Sequence, residues 1–234
     1  MSVLEQISLS ALAVGKGAVI TVVISLLSFV LGLLVGIPLA IGRSYGNRII
    51  RILIQGYEGF FRGTPLIVTL FIFYFGLRYV GQIFGHPEFR IALPPFAAAV
   101  LALGLTSSAY LSLIFRGALQ SISSDQYDAA RSLGMGKWKA ILRIMMTQAF
   151  RVSIPSMANE FTIVLKDSPI TYVVAIPEML TEARGIIDSA MGKVFFEVLI
   201  PVSVLYFLLF VFANRIFESL NRKLKIPGFE SLEA

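Results

Sequence analysis

A chain of 234 residues with 56% hydrophobic and only 15% charged residues, at a mean hydropathy of +0.81, carries more apolar surface than a soluble core of that size can hide. This excludes an ordinary soluble domain and makes the chain an integral membrane protein. The net charge of +6 reflects where basic loops fall rather than affinity for nucleic acid, and the absence of cysteine removes disulfides and thiolate chemistry.

The first sixteen residues lack a basic amino-terminal region and a small-residue cleavage site, so the first apolar run is expected to stay in the membrane as a helix. That run, residues 17–42, is uncharged and long enough to cross about 30 Å of hydrocarbon. It contains Gly32 and Gly36 at a spacing typical of close helix contact, followed by Pro38. A second span is expected over 52–80, with Glu58 and Arg62 at its wet end. A loop carrying His86 beside Pro87 and Glu88 leads to the third, at 91–115, whose apolar course is interrupted by Thr106, Ser107, Ser108 and Tyr110.

Between spans three and four lies a short helix of the soluble type, expected over about 124–134. Ser123 and Gln126 have the spacing of a capping box, and Asp125 and Asp128 put negative charge near the amino end. Ala129 and Leu133 share a face, and Gly134 and Gly136 suit the left-handed residue that ends many helices. Lys137, Lys139 and Arg143 follow as a cationic patch. Such a helix, with lipid-built segments on both sides, is expected to face a partner.

Span four, 152–176, carries Asn159, Glu160, Lys166, Asp167 and Pro169. Ionisable groups at membrane depth are costly unless they face a polar interior, which points to transport. Ser168 before Pro169 is expected to leave helical geometry and to break the span near Lys166, beside a cavity. A fifth span is expected over 196–216. Of the 20 basic residues, 14 lie in the loops after spans one, three and five, which sets the amino terminus outside and the carboxyl terminus in the cytoplasm. The other six face outside, where Glu178, Glu182, Asp188 and Glu197 offset them.

No catalytic constellation or metal site is expected. His86 is the only histidine and has no cysteine to join it. The run Gly134 to Lys137 is followed by Trp138 where a phosphate loop needs Ser or Thr, so no nucleotide site is expected in this chain.

Taken together the motifs resemble those of the membrane permease subunits of ABC importers for polar amino acids, of the histidine, glutamine and arginine type. Asp128-Ala129-Ala130 with Gly134 resembles that family's Glu-Ala-Ala loop with Asp for Glu. Arg62-Gly63-Thr64-Pro65, Ala109-Tyr110, Arg116-Gly117, Asn159-Glu160-Phe161, Lys166-Asp167-Ser168 and Pro177-Glu178 are similar to its other hallmarks, and the likeness covers nearly the whole chain. Thr147 stands where the family usually has proline, and Leu113 where many members have an acid.

The resemblance implies one permease domain over 1–234, all-α with five spans and a cytoplasmic coupling helix, in the cell membrane. It implies a second permease (a copy or a paralogue), a pair of ATP-binding subunits that hold ATP and magnesium, and an extracytoplasmic solute-binding protein. In this reading Asp125, Asp128, Ala129, Ala130, Arg131, Leu133 and Gly134 couple the chain to the ATPase. Polarity and depth point to Thr106, Ser107, Ser108, Asn159, Glu160 and Asp167 as the substrate path. The alternative is an ion-coupled secondary transporter using Glu160 and Lys166 as a relay.

Overall fold

The structure, a computed structural model, describes residues 3–86 and 90–224, and every regular element among them is helical. Lipid demands this, because helices satisfy backbone hydrogen bonds within the segment. In chain order the helices are α1 (Val3–Tyr45), α2 (Arg48–Gly63), α3 (Leu66–Tyr74), a 3-10 turn (Gly76–Tyr79), α4 (Val80–Ile83), α5 (Pro95–Ser121), α6 (Ser124–Ser132) and α7 (Lys137–Ala140). A π-helical turn (Ile141–Met145) then leads into α8 (Met146–Asp167), a 3-10 segment (Ser168–Val174), α9 (Met179–Ser189) and α10 (Phe195–Leu224). Pro87 and Glu88 beside His86, and Lys225 of the basic set, lie outside the described residues.

Three helices are long and apolar enough to cross a membrane by themselves: α1 over Ala13–Tyr45, α5 and α10. The expected second span is not one helix. Pro65 supplies no amide hydrogen, so α2 ends at Gly63, and the chain restarts as α3 and bends by 44° between Leu66–Tyr74 and Gly76–Ile83. The expected break near Lys166 takes another form. Ser168 keeps helical angles (φ −54°, ψ −32°), and the chain tightens into 3-10 geometry until Ala175 turns left-handed at φ 56°. The shallow ψ of a tightened turn lets Ser168 precede Pro169 while remaining helical. From Lys137 to Asp167 the chain stays helical throughout, and Thr147 donates its hydroxyl to the Arg143 carbonyl at 2.9 Å instead of interrupting it.

α1 packs against α5 along the Gly32 and Gly36 stripe. A Cβ at Gly36 would stand 2.8 Å from the Ser108 carbonyl, and one at Gly104 2.9 Å from the Ser28 carbonyl, so backbone meets backbone. Gly36→Val is expected to remove most folded protein, overpacking being worth about 1–3 kcal/mol or more. Gly56→Ala, where nothing lies within 4 Å, is the matched control and is expected to leave yield and thermal midpoint in detergent near wild type. A triangle of Phe29, Phe161 and Phe217, with centroids 5.3–6.1 Å apart, joins α1, α8 and α10.

Candidate functional site: an exposed helix and an open membrane face

α6 forms as expected, with different cap chemistry. Ser123 Oγ accepts the Asp125 amide hydrogen at 3.2 Å and donates to Asp125 Oδ2 at 3.0 Å, so Asp125 takes the part expected of Gln126. At the other end the Gly134 amide reaches the Arg131 carbonyl and the Met135 amide the Ala130 carbonyl, the paired bonds of a Schellman motif, with Gly134 at φ 82°. Gly136 stays at φ −61° and begins α7.

Ala130 is buried, and Tyr127 stacks on Tyr45 at 6.3 Å, which seats α6 against the end of α1. Lys137 Nζ donates to the Tyr45 carbonyl at 3.3 Å and holds the following turn to the same place. Asp125, Asp128, Ala129, Arg131 and Leu133 are left on the exposed side, with Leu133 85% exposed. A large apolar side chain so exposed, on a helix capped at both ends, is suited to fill a partner's groove.

The polar residues within the membrane divide into two groups. Ser107, Ser108 and Glu160 are interior: Glu160 is 4% exposed and faces Ser107, and Ser108 Oγ pairs with the Tyr57 hydroxyl at 2.7 Å. Asn159 and Asp167 are exposed on α8, and Thr106 is half-buried. Thr106, Tyr110, Leu113 and Gly117 follow helical spacing along one partly open strip of α5. Lys166 lays its ammonium 4.6 Å from the Phe210 ring centroid.

The carboxylates whose positions sequence reasoning missed are Glu58 and Glu178. Glu58 is not at a wet end; it is buried, accepts from Ser112 Oγ at 2.7 Å and pairs with Arg43 Nε at 3.5 Å, so it ties α2 to α1 and α5. Glu178, expected as an acidic loop residue, is fully buried. Its Oε1 accepts the Thr181 amide at 2.8 Å and so caps α9, while Oε2 accepts from the Tyr206 hydroxyl at 2.7 Å and from Thr21 Oγ1 at 3.3 Å. The signal available was Glu178 three residues before Thr181 at a helix start, a capping pattern.

The family described as "Binding-protein-dependent transport system inner membrane component" matches residues 29–226. This chain belongs to that family. It is therefore a multi-pass membrane permease subunit, a component of an ABC transporter and not itself an enzyme. It is 33% identical over 170 residues to the L-cystine transport system permease protein TcyB of Bacillus subtilis, covering 73% of this chain and 69% of that one. It is also 33% identical over 193 residues to the nopaline transport system permease protein NocM of Agrobacterium fabrum, covering 82% and 79%. A solved amino acid ABC transporter with histidines superposes with TM-score 0.78 at 29% identity, over 95% of this chain and 99% of that chain. The MetNI methionine transporter shares the fold at TM-score 0.68 and 20% identity, over 97% and 100%. The permease has the all-helical architecture of these ABC transporter subunits.

Proposed function

We propose that this permease is the membrane-spanning subunit of an ATP-driven importer of a polar amino acid. It crosses the membrane five times, through α1, the broken α2 to α4, α5, α8 with its 3-10 extension, and α10. The distribution of basic residues supports an outside amino terminus and a cytoplasmic carboxyl terminus. The whole chain acts as one transmembrane domain beside a second permease. The observation that carries the reading is α6, a doubly capped helix that presents Asp125, Asp128, Ala129, Arg131 and Leu133 from a permease of this family. It docks on a separate ATPase subunit, which holds ATP and magnesium, and transmits that subunit's closure as rigid-body motion. An extracytoplasmic binding protein delivers substrate.

The path runs along the open face of α5 and α8, lined by Thr106, Asn159 and Asp167, with Ser107, Ser108 and Glu160 packed behind and shaping it. The amino-acid substrate is supported by the relatives, whose names give cystine and glutamine transport.

Co-expression with an ATPase subunit and reconstitution in proteoliposomes tests the reading. ATP hydrolysis is expected to rise several-fold with binding protein and one amino acid, whereas uptake driven by an ion gradient without ATP would reject it.

A further inference from the structure

We propose that Arg62 and the open carboxyl end of α2 form an intramembrane site for a zwitterionic amino acid, the guanidinium taking the carboxylate and the freed carbonyls the ammonium. The proposal rests on the importer reading above and adds a place and a chemistry to it.

Depth is the first observation. Arg62 lies over the Tyr110 ring at 5.8 Å. Tyr110 stands about 22 Å from the start of α5 and about 16 Å from its end, at 1.5 Å per residue, so this guanidinium sits far from either headgroup layer. An ionised group at that depth requires a counter-charge or a polar cavity.

The second observation is that no counter-charge is supplied from within the protomer. Glu58 is one turn earlier on the same helix and would be the natural mate, yet its carboxylate is taken by Arg43 and Ser112. Arg43 and Arg51 are satisfied by Glu58, Gln55 and backbone carbonyls, whereas Arg62 is exposed and its contact is the Tyr110 ring. The planar fork of a guanidinium matches a carboxylate through two parallel bonds.

The third observation supplies the other half of a zwitterion. Pro65 has no amide hydrogen to give the Phe61 carbonyl, and after the Thr64 to Phe60 bond no backbone amide among the described residues reaches the carbonyls of Phe61, Arg62, Gly63 or Thr64. Carbonyls left open at a helix break in the membrane line a polar cavity and accept from a cation. Nothing lies within 4 Å of the Cβ positions of Gly59 and Gly63, which leaves room beside Arg62 for a small ligand. A phosphate headgroup does not reach this level, and an amine without a carboxylate leaves the guanidinium unpaired.

The complex with its ATPase and second permease, purified without binding protein, is titrated with each proteinogenic amino acid and with cystine, all tritium-labelled. At least one is expected to bind, with its decarboxylated amine at least ten-fold weaker. Arg62→Gln is expected to weaken binding ten-fold or more, and Arg62→Lys to recover part of it. No binding by any amino acid, or unchanged binding by Arg62→Gln, overturns the site. So does loss of permease pairing on cross-linking of Arg62→Gln, which would assign the guanidinium to an acid of the second permease instead. ATPase stimulation by liganded binding protein is read on the wild-type complex in parallel. If stimulation is present while the site fails, the importer reading stands; if it is absent, that reading fails by itself.

Discussion

Gly134→Val is expected to lower amino-acid-driven uptake more than ten-fold, while the permease still inserts and still pairs with a second permease. The backbone there is left-handed at φ 82°, a region costing a residue with a Cβ about 1–2 kcal/mol and a β-branched one more. Both closing bonds of α6, from Gly134 to Arg131 and from Met135 to Ala130, depend on that turn. Losing them would unwind the last turn and move Leu133, the most exposed large side chain of the helix, out of register with any groove it fills. The damage is local, because nothing packs within 4 Å of the Gly134 Cβ position. Uptake and ATPase stimulation should fall together, with membrane content unchanged by immunoblot. Leu133→Asp is the companion variant: it keeps the caps and removes the apolar anchor, and the same loss is expected. Wild-type uptake in both variants would rule out α6 as the docking element.

Glu178→Ala is expected to have the largest effect on stability. Its carboxylate caps α9 through Thr181 and accepts from Tyr206 of α10 and Thr21 of α1, so one side chain joins three helices without exposure to water. Removing it leaves the Tyr206 hydroxyl and the Thr181 amide without their acceptor, at about 1–3 kcal/mol for each group left unsatisfied. The thermal midpoint of the purified permease in detergent should fall by roughly 5–10 °C on a loss of about 3 kcal/mol. Tyr206→Phe, which removes one bond and retains the ring, should cost about 1 kcal/mol. Gly17 sits against this joint, a Cβ there being 2.8 Å from the Met179 backbone, so α1 cannot withdraw to relieve the loss. A midpoint unchanged in Glu178→Ala would show that the network contributes nothing net.

Much of the architecture was legible because its causes are local. The uncharged runs behind α1 and α5 announce membrane helices by length and composition alone, and α10 extends the expected fifth span at both ends. Ser123, Asp125 and Gly134 announce α6 because caps act within four residues of one another. Gly32 and Gly36 announce a close helix contact because only a missing side chain allows one. The partial errors are instructive too. Gln126 was the expected capping partner and Asp125 does that work, since two acceptors one position apart compete for the same hydroxyl. Ser168 was expected to leave the helix, and a 3-10 turn reconciled it with Pro169.

What the tertiary structure decided is which side of each helix meets what. The polar belt of α5 reads as one feature in sequence, yet packing turns Ser107 and Ser108 inward and leaves Thr106 and Tyr110 on the open strip. Asn159 and Glu160 are neighbours in sequence and differ in the same way, because adjacent helical positions are 100° apart and α5 covers only one of them. Glu58, Glu178 and Arg62 look alike as charged residues near span ends. The fold buries the first two among partners 50 to 160 positions away in sequence and leaves the third on a broken helix without an ion-pair partner among the described residues. Charge and hydropathy are properties of a residue, and composition therefore settles that this chain lives in a membrane. Burial and pairing are properties of neighbours brought together across the chain, and only the packed helices supply those.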